Sequence, residues 1–221
     1  MGRPKDSRRN PAAELFGFAD NRRQIYDEDQ SHGGRQTWKT FLENNRQGIA
    51  SMDFIIIPTI RFKLLYCLVI INHARRRIIH FVVTTIPTAA WVVQQLIEAF
   101  AWNEAPDHLI RDNDPVFNGL VRRRLRHFGI RDRPTAPRPP WQNGYSKRIN
   151  GTIRRECFDH TLVFGEAHPR RTMGAYVTYY NNASKHLLLG KHSSNRQRIC
   201  SPGTIKSVNR LGGLHHEYSR L

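Results

Sequence analysis

Chemistry on a phosphodiester calls for carboxylates that gather one or two divalent cations, because the metal neutralises phosphate charge and activates the attacking oxygen. Two acids stand where strands would present them. Asp53 lies near the start of the β-rich run Met52-Asp53-Phe54-Ile55-Ile56-Ile57, and Asp112 directly follows another such stretch, His108 to Arg111. If those strands are neighbours, both side chains converge. Residue type alone leaves other roles open: Asp53 as a paired core residue, Asp112 as a helix cap, and Asp114 as the competing acid within Asp112-Asn113-Asp114-Pro115.

The elements that would hold these acids follow from periodicity. Met52 to Ile57, Phe62 to Ile71 and Ile78 to Thr84 are rich in β-branched and aromatic residues. They are separated by Pro58 and by Asn72-His73-Ala74-Arg75-Arg76-Arg77. This predicts an antiparallel meander whose second turn is a basic tip, and its near-continuous apolar runs imply cover on both faces. Thr88 is placed to cap a helix in which Ala89, Val92, Val93, Leu96, Ile97 and Phe100 recur at helical spacing. After the short strand ending at Arg111 comes a second helix. Phe117, Val121, Leu125 and Phe128 form its apolar stripe, arginines fill its other faces, and Gly129 ends it.

Ile130 to Arg133 reads as an edge strand, followed by an exposed, proline-stiffened loop from Pro134 to Gly144. A helix then starts at about Tyr145, with Tyr145, Ile149, Ile153 and Cys157 on one stripe, and a last helix covers Glu166 to Asn181. The order is that of an α/β fold with a mixed sheet flanked by helices. Residues 1–47 read as a mobile polar arm with a short helix from Thr37 to Asn45, residues 48–182 as one folded core, and residues 183–221 as a basic flexible tail.

Thirty-five lysines and arginines against 18 aspartates and glutamates give a net charge of +17, which favours a polyanionic partner, DNA or RNA. Cys67, Cys157 and Cys200 contain no C-x-x-C pair and fit a reducing cytoplasm better than a disulfide framework. The longest apolar run, Leu64 to Ile71, is too short for a membrane helix, and the polar N-terminus is unlike a signal peptide, so no membrane partner is expected.

Five motifs occur in a telling order: Ser51-Met52-Asp53, Pro87-Thr88-Ala89-Ala90-Trp91, Arg111-Asp112-Asn113-Asp114, Trp141-Gln142-Asn143-Gly144-Tyr145 and Gly151-Thr152-Ile153-Arg154-Arg155-Glu156-Cys157. With them, the stretch from about Thr37 to Asn182 resembles the integrase core of bacterial insertion-sequence transposases and retroviral integrases. The resemblance implies a ribonuclease-H-like fold, a mixed five-stranded sheet flanked by helices. It also implies Mg²⁺- or Mn²⁺-dependent cutting and joining of DNA ends, as in DNA integration and transposition. A homo-oligomer assembled on those ends, in a bacterial cytoplasm, would be its setting.

On this resemblance Asp53 and Asp112 are the catalytic, metal-binding acids, with Asp112 preferred over Asp114 because Phe117 supplies the aromatic residue five positions later. The third acid should be a glutamate on the helix after the loop. Lys147 stands there, separated from Asp112 by the 34 residues 113–146. Two aspartates and one ammonium bring about −1 where three carboxylates would bring about −3, and the ammonium repels a metal ion. Glu156, nine residues on, falls on roughly the opposite side of the helix and cannot replace it. An incomplete triad and impaired catalysis are therefore expected; the alternative is a non-catalytic DNA-binding remnant that occupies element ends or modulates active copies.

The same resemblance places DNA contacts on the loop and the helix after it. Trp141 and Tyr145 would stack on unpaired bases, Gln142 and Asn143 would hydrogen-bond to them, and Arg148, Arg154 and Arg155 would meet phosphates. Lys147 and Gly151 share the face of Arg154 and Arg155 in an unbroken helix. Structural roles compete for two of these residues, Tyr145 as core and Asn143 as a helix cap. His32 with no cysteine before Cys67 excludes a His/Cys zinc module in the arm, and the adjacent His215 and His216 are expected to face solvent.

Overall fold

A computed structural model describes residues 37–100, 105–117, 119–136, 140–183, 193–195 and 204–220. Its centre is a five-stranded sheet in the order β3-β2-β1-β4-β5, formed by β1 (Ile49–Pro58), β2 (Leu64–Asn72), β3 (Arg77–Thr84), β4 (His108–Arg111) and β5 (Arg131–Pro134). The first three pair antiparallel as the expected meander, whereas β4 runs parallel to β1 and β5 parallel to β4. β5 is an edge strand, as its short polar sequence implies.

Both faces are covered. On one, α2 (Ala89–Ala99) and α3 (Gly119–His127) bury Val92, Leu96, Val121 and Leu125 against Ala50, Met52, Leu68 and Ile70. On the other, α4 (Gly144–Ile153) and α5 (Ala167–Asn182) bury Ile149, Ile153, Met173 and Tyr176 against Ile55, Ile57, Cys67 and Val69. Side chains alternate along a strand, so even-numbered β1 residues serve the first layer and odd-numbered ones the second. Asp53 is odd-numbered. The period of the strand alone therefore turns it toward α4.

Local chemistry sets the ends of these elements. The Thr88 hydroxyl accepts from the Trp91 amide at 3.2 Å, capping α2 as expected. Gly129 closes α3 at φ +71°, a conformation that costs glycine little. Asp114 accepts from the Val116 amide at 2.8 Å and starts a 3-10 turn, Pro115–Phe117, that precedes α3. α4 does not stay regular: Arg154–Phe158 form a π-helical turn, which changes the angular position of every residue after Ile153.

The short helix expected in the arm is present, and part of the expected tail is structured. Trp38–Asn44, within the expected arm, form α1, capped by Thr37, and the Trp38 indole donates to the Gln142 carbonyl at 3.2 Å. Aromatic contact of Phe41 with His108 adds a reason for order there. In the expected flexible tail, β6 (Ile205–Arg210) and β7 (His215–Arg220) pair as a hairpin. His215 stacks on Tyr179 at 4.6 Å and its Nε2 meets the Glu156 carbonyl at 3.0 Å, so it is not the free surface residue expected. The Arg75–Arg77 tip is likewise engaged: Arg75 donates to the Ser194 carbonyl, and the Arg76 guanidinium lies over the Tyr145 ring.

Cys67 and Cys157 are buried thiols within the second layer; Cys200 lies outside the described residues. Among the described residues no helix is long and apolar enough to cross a membrane.

The buried Arg111 guanidinium ties β4 to β5 by donating to both oxygens of Asp132 at 2.8 and 2.7 Å. Removing one partner would leave a charge in low dielectric, a loss of roughly 3 kcal/mol. Asp132→Asn should accordingly lower the unfolding free energy by about 3 kcal/mol in urea titrations; a change within about 0.5 kcal/mol would show that the pair does not hold the edge strand.

Candidate active site

Parallel register brings the two acids together. Ser51 pairs with Ile110 and Met52 with Arg111, so the next residues of the two chains, Asp53 and Asp112, lie side by side where β4 ends. The Arg111 side chain also donates to the Asp112 carbonyl at 3.1 Å, holding the chain as it leaves the sheet. Asp114 instead caps its own turn. Among the three acids weighed from sequence, Asp53 and Asp112 are the pair that the fold assembles.

Helix α4 supplies the opposing groups. Lys147 Nζ lies 2.6 Å from Asp112 Oδ2, and Asn143 Nδ2 donates to Asp112 Oδ1 at 3.2 Å and to the Met52 carbonyl at 3.2 Å. Asn150 Nδ2 donates to Asp53 Oδ2 at 3.0 Å, and the Phe54 amide donates to Asp53 Oδ1 at 2.8 Å. Every oxygen of the two carboxylates thus accepts a hydrogen bond. Asn143, Lys147 and Asn150 are spaced to share one helix face.

Electrostatics follows this packing. Burial and the neighbouring Asp112 charge push the Asp53 carboxyl up to about 6, although Lys147, the Phe54 amide and Asn150 act against them. For Lys147, burial works against the charged form. The hydrogen bond it donates to Asp112 and the charges of Asp53 and Asp112 outweigh it, holding the ammonium above its ordinary range. Lys147 is therefore a cation here, not a base.

Behind the acids runs a buried polar chain. Ser146 donates its hydroxyl to Ser51 Oγ at 2.7 Å, and Ser51 Oγ lies 2.8 Å from His73 Nε2. It pins the start of α4 to β1 and to the end of β2. Burial, with Arg76 and Arg46 nearby, lowers His73 to about 4, keeping the ring neutral.

Sequence reasoning placed Asp53, Asp112 and Lys147 together, as the structure does. It missed Asn150, Ser51, Ser146 and His73. The spacing of Asn143, Ser146, Lys147 and Asn150 was the available signal, a polar stripe running beside the apolar one of Ile149 and Ile153.

The expected DNA-contact residues divide. Trp141 is 42% exposed, and Arg148, Arg154 and Arg155 face solvent. Asn143 is 1% exposed and spends its amide on Asp112 and Met52, so it is a positioning residue rather than a base contact. Gln142 Oε1 accepts from the Ala136 amide at 2.7 Å, bracing the loop. Tyr145 packs against the second layer beneath Arg76 and beside His73, the core role that its place on the apolar stripe allows. Lys147 departs from the phosphate-facing surface expected of it, because Asp112 draws it inward. Arg155 folds back over Gly151, where a Cβ would sit 3.2 Å from its Nη1.

Comparison with known proteins bears on this arrangement. Residues 128–193 match the model of the integrase core domain, a span that includes Lys147 and α4 but neither acid. No curated relative matches the chain. Its structure is similar to a chain of the simian T-cell lymphotropic virus intasome in complex with PP2A regulatory subunit B56 gamma, with a TM-score of 0.56 and 15% identity, over 78% of this chain. It is similar also to the HTLV-2 integrase catalytic core domain in complex with magnesium (trimeric form), with a TM-score of 0.50 and 15% identity, over 66% of this chain and 92% of that one. The likeness is to integrase catalytic cores, and it is one of fold.

The chain has the ribonuclease-H-like fold expected, a mixed five-stranded sheet between helical layers. At 15% identity the likeness is one of fold, and the chain spans 66% of the length of the intasome chain.

Two titrations report on the site. His73 has a native pKa depressed below its unfolded value, so its contribution to stability is present above about pH 6.5 and lost as pH falls toward about 4. Asp53 runs the other way: raised to about 6, it favours the native state below the ordinary carboxylate range, and that contribution is lost as pH rises through about 6. Side-chain NMR should find the His73 ring neutral at pH 5.5. A ring titrating near 6.5 would show that the Ser146–Ser51–His73 chain is open to water.

Proposed function

We propose that this chain is the catalytic core of an integrase or transposase acting on DNA, impaired in strand transfer because Lys147 replaces the third metal-binding acid. The observation that carries the reading is the 2.6 Å contact between Lys147 Nζ and Asp112 Oδ2. Mg²⁺ or Mn²⁺ is the ion that the resemblance implies, and the residues present do not fit it. A hard divalent cation needs several free oxygens. Here the four carboxylate oxygens are engaged by donors, one of them an ammonium. Among the described residues no three His, Cys, Asp or Glu side chains group as a metal site.

An internal cation thus occupies the place of an exchangeable one. The site's own residues can hold Asp112 and orient α4, but they leave no open coordination for a phosphate-bound metal. The same ion pair favours the second reading, a protein that binds DNA ends without cutting them and modulates active copies through mixed oligomers. The exposed Trp141, Arg148, Arg154 and Arg155 suit either role. Bacterial cytoplasm, beside the chromosome, is the setting that this reading supposes.

Lys147 and Asp112 are about one third exposed, so the pair contributes roughly 0–1 kcal/mol and its loss should leave the fold intact. Lys147→Glu can therefore be assayed as a folded protein. In a nicking assay on an element-end duplex, the natural chain should show little product with Mg²⁺ or Mn²⁺, while Lys147→Glu should gain at least about 100-fold, the scale of restoring one transition-state-stabilising group. Robust metal-dependent nicking by the natural chain would overturn the impairment. Duplex binding that survives chelation, with no nicking by either chain, would favour the non-catalytic reading.

A further inference from the structure

A concentration of exposed positive charge lies away from the acids, beside edge strand β5. There an open groove of about 500 Å³ runs between α3 and β5, lined by Arg122, Arg126, Arg131 and Arg133. All four arginines are exposed. Arg122 and Arg126 are one helical turn apart and share a face of α3, and Arg131 and Arg133 share a face of β5, about 7 Å apart by strand rise.

The groove contains one acid, Asp132, and the buried Arg111 already binds it through both oxygens. Arg122 reaches the same carboxylate only at 3.8 Å. Four arginines therefore line a groove along the sheet edge, Arg122 and Arg126 from the helix and Arg131 and Arg133 from the strand, and its carboxylate is neutralised from beneath. Arg133 is held by stacking over the Phe41 ring at 5.2 Å, which limits the entropy lost on engaging a ligand. Like charges gathered this way repel one another unless a polyanion joins them. Guanidinium forks match phosphate oxygens bidentately, and a duplex presents phosphates at regular spacing along each strand.

We propose that the α3–β5 groove is a second DNA-binding surface, which grips the phosphate backbone of duplex DNA independently of base sequence and of the Asp53–Asp112 site. The proposal rests on the reading of the chain as a DNA-handling protein. It adds a surface that the integrase-like site does not require, since Trp141, Arg148, Arg154 and Arg155 belong to the loop and α4. Two such surfaces let one chain hold two segments of duplex.

The test uses the full chain in EDTA and a fluorescent 30-base-pair duplex of arbitrary sequence, with affinity followed by anisotropy over a range of salt. Each phosphate contact contributes about 0.9 to the slope of log affinity against log salt. Arg122→Gln/Arg126→Gln/Arg131→Gln should bind at least about tenfold more weakly at low salt and lose about 2–3 units of slope. The corresponding Lys variants should keep most of both. Neutralising Arg148, Arg154 and Arg155 should add a separate loss. Natural affinity and slope in the Gln variant would overturn the groove while leaving the DNA reading intact. A loss confined to duplex RNA would assign the groove to another partner and so overturn it. Failure of the natural chain to bind any duplex would overturn the DNA reading and the groove together.

Discussion

Two carboxylates brought side by side at the rim of a sheet repel each other, and low dielectric magnifies that repulsion. Parallel pairing of β1 with β4 imposes this proximity on Asp53 and Asp112, so some cation must answer it. In this chain the cation is covalent. Lys147 brings it from α4, so the placing of that helix over the strand ends is favoured by charge as well as by packing. Without Lys147 or a substitute ion, the site would relax by protonating Asp53, whose carboxyl already sits high.

The surrounding contacts serve this placement. Ser146, Ser51 and His73 lock α4 to β1; Asn143 and Asn150 each span from α4 to a carboxylate; Trp38 reaches from α1 to the turn that begins the helix. On the other side, Arg111 is neutralised by Asp132 and steadies the chain that carries Asp112. The acids are thus set from three directions, by the sheet register, by α4 and by the edge strand. A site this closely tied holds its geometry with an internal cation, because the Lys147 ammonium answers a carboxylate that would otherwise stand unneutralised beside Asp53.

Much of this arrangement was legible in the linear chain, for identifiable reasons. β1 to β3 announce themselves through continuous β-branched runs, and α2 and α3 through apolar residues at helical spacing with Thr88 and Gly129 at their ends. Asp53, Asp112 and Lys147 were recognisable because motif order carries them. Asn143 and Tyr145 were harder. Both roles open to them, DNA contact and structural support, use the same residue types, and only burial separates the two. The π-helical turn after Ile153 has no periodicity of its own, so Arg154 and Arg155 could be placed on the face of Lys147 only by assuming a regular helix.

Composition, alternation and spacing determine what each segment is: a basic chain, a meander covered on both faces, helices with defined caps, and a lysine where a resembling sequence would carry glutamate. Those are local properties, written in side chains a few residues apart. Which acids meet, which hydroxyl reaches His73, and which arginines surround Asp132 depend on strand order, parallel register and the way α1 and the β6–β7 hairpin dock. Such pairings join residues from 21 to 104 positions apart, and no local pattern encodes them. They arise only when burial of the two apolar layers forces the elements into one arrangement.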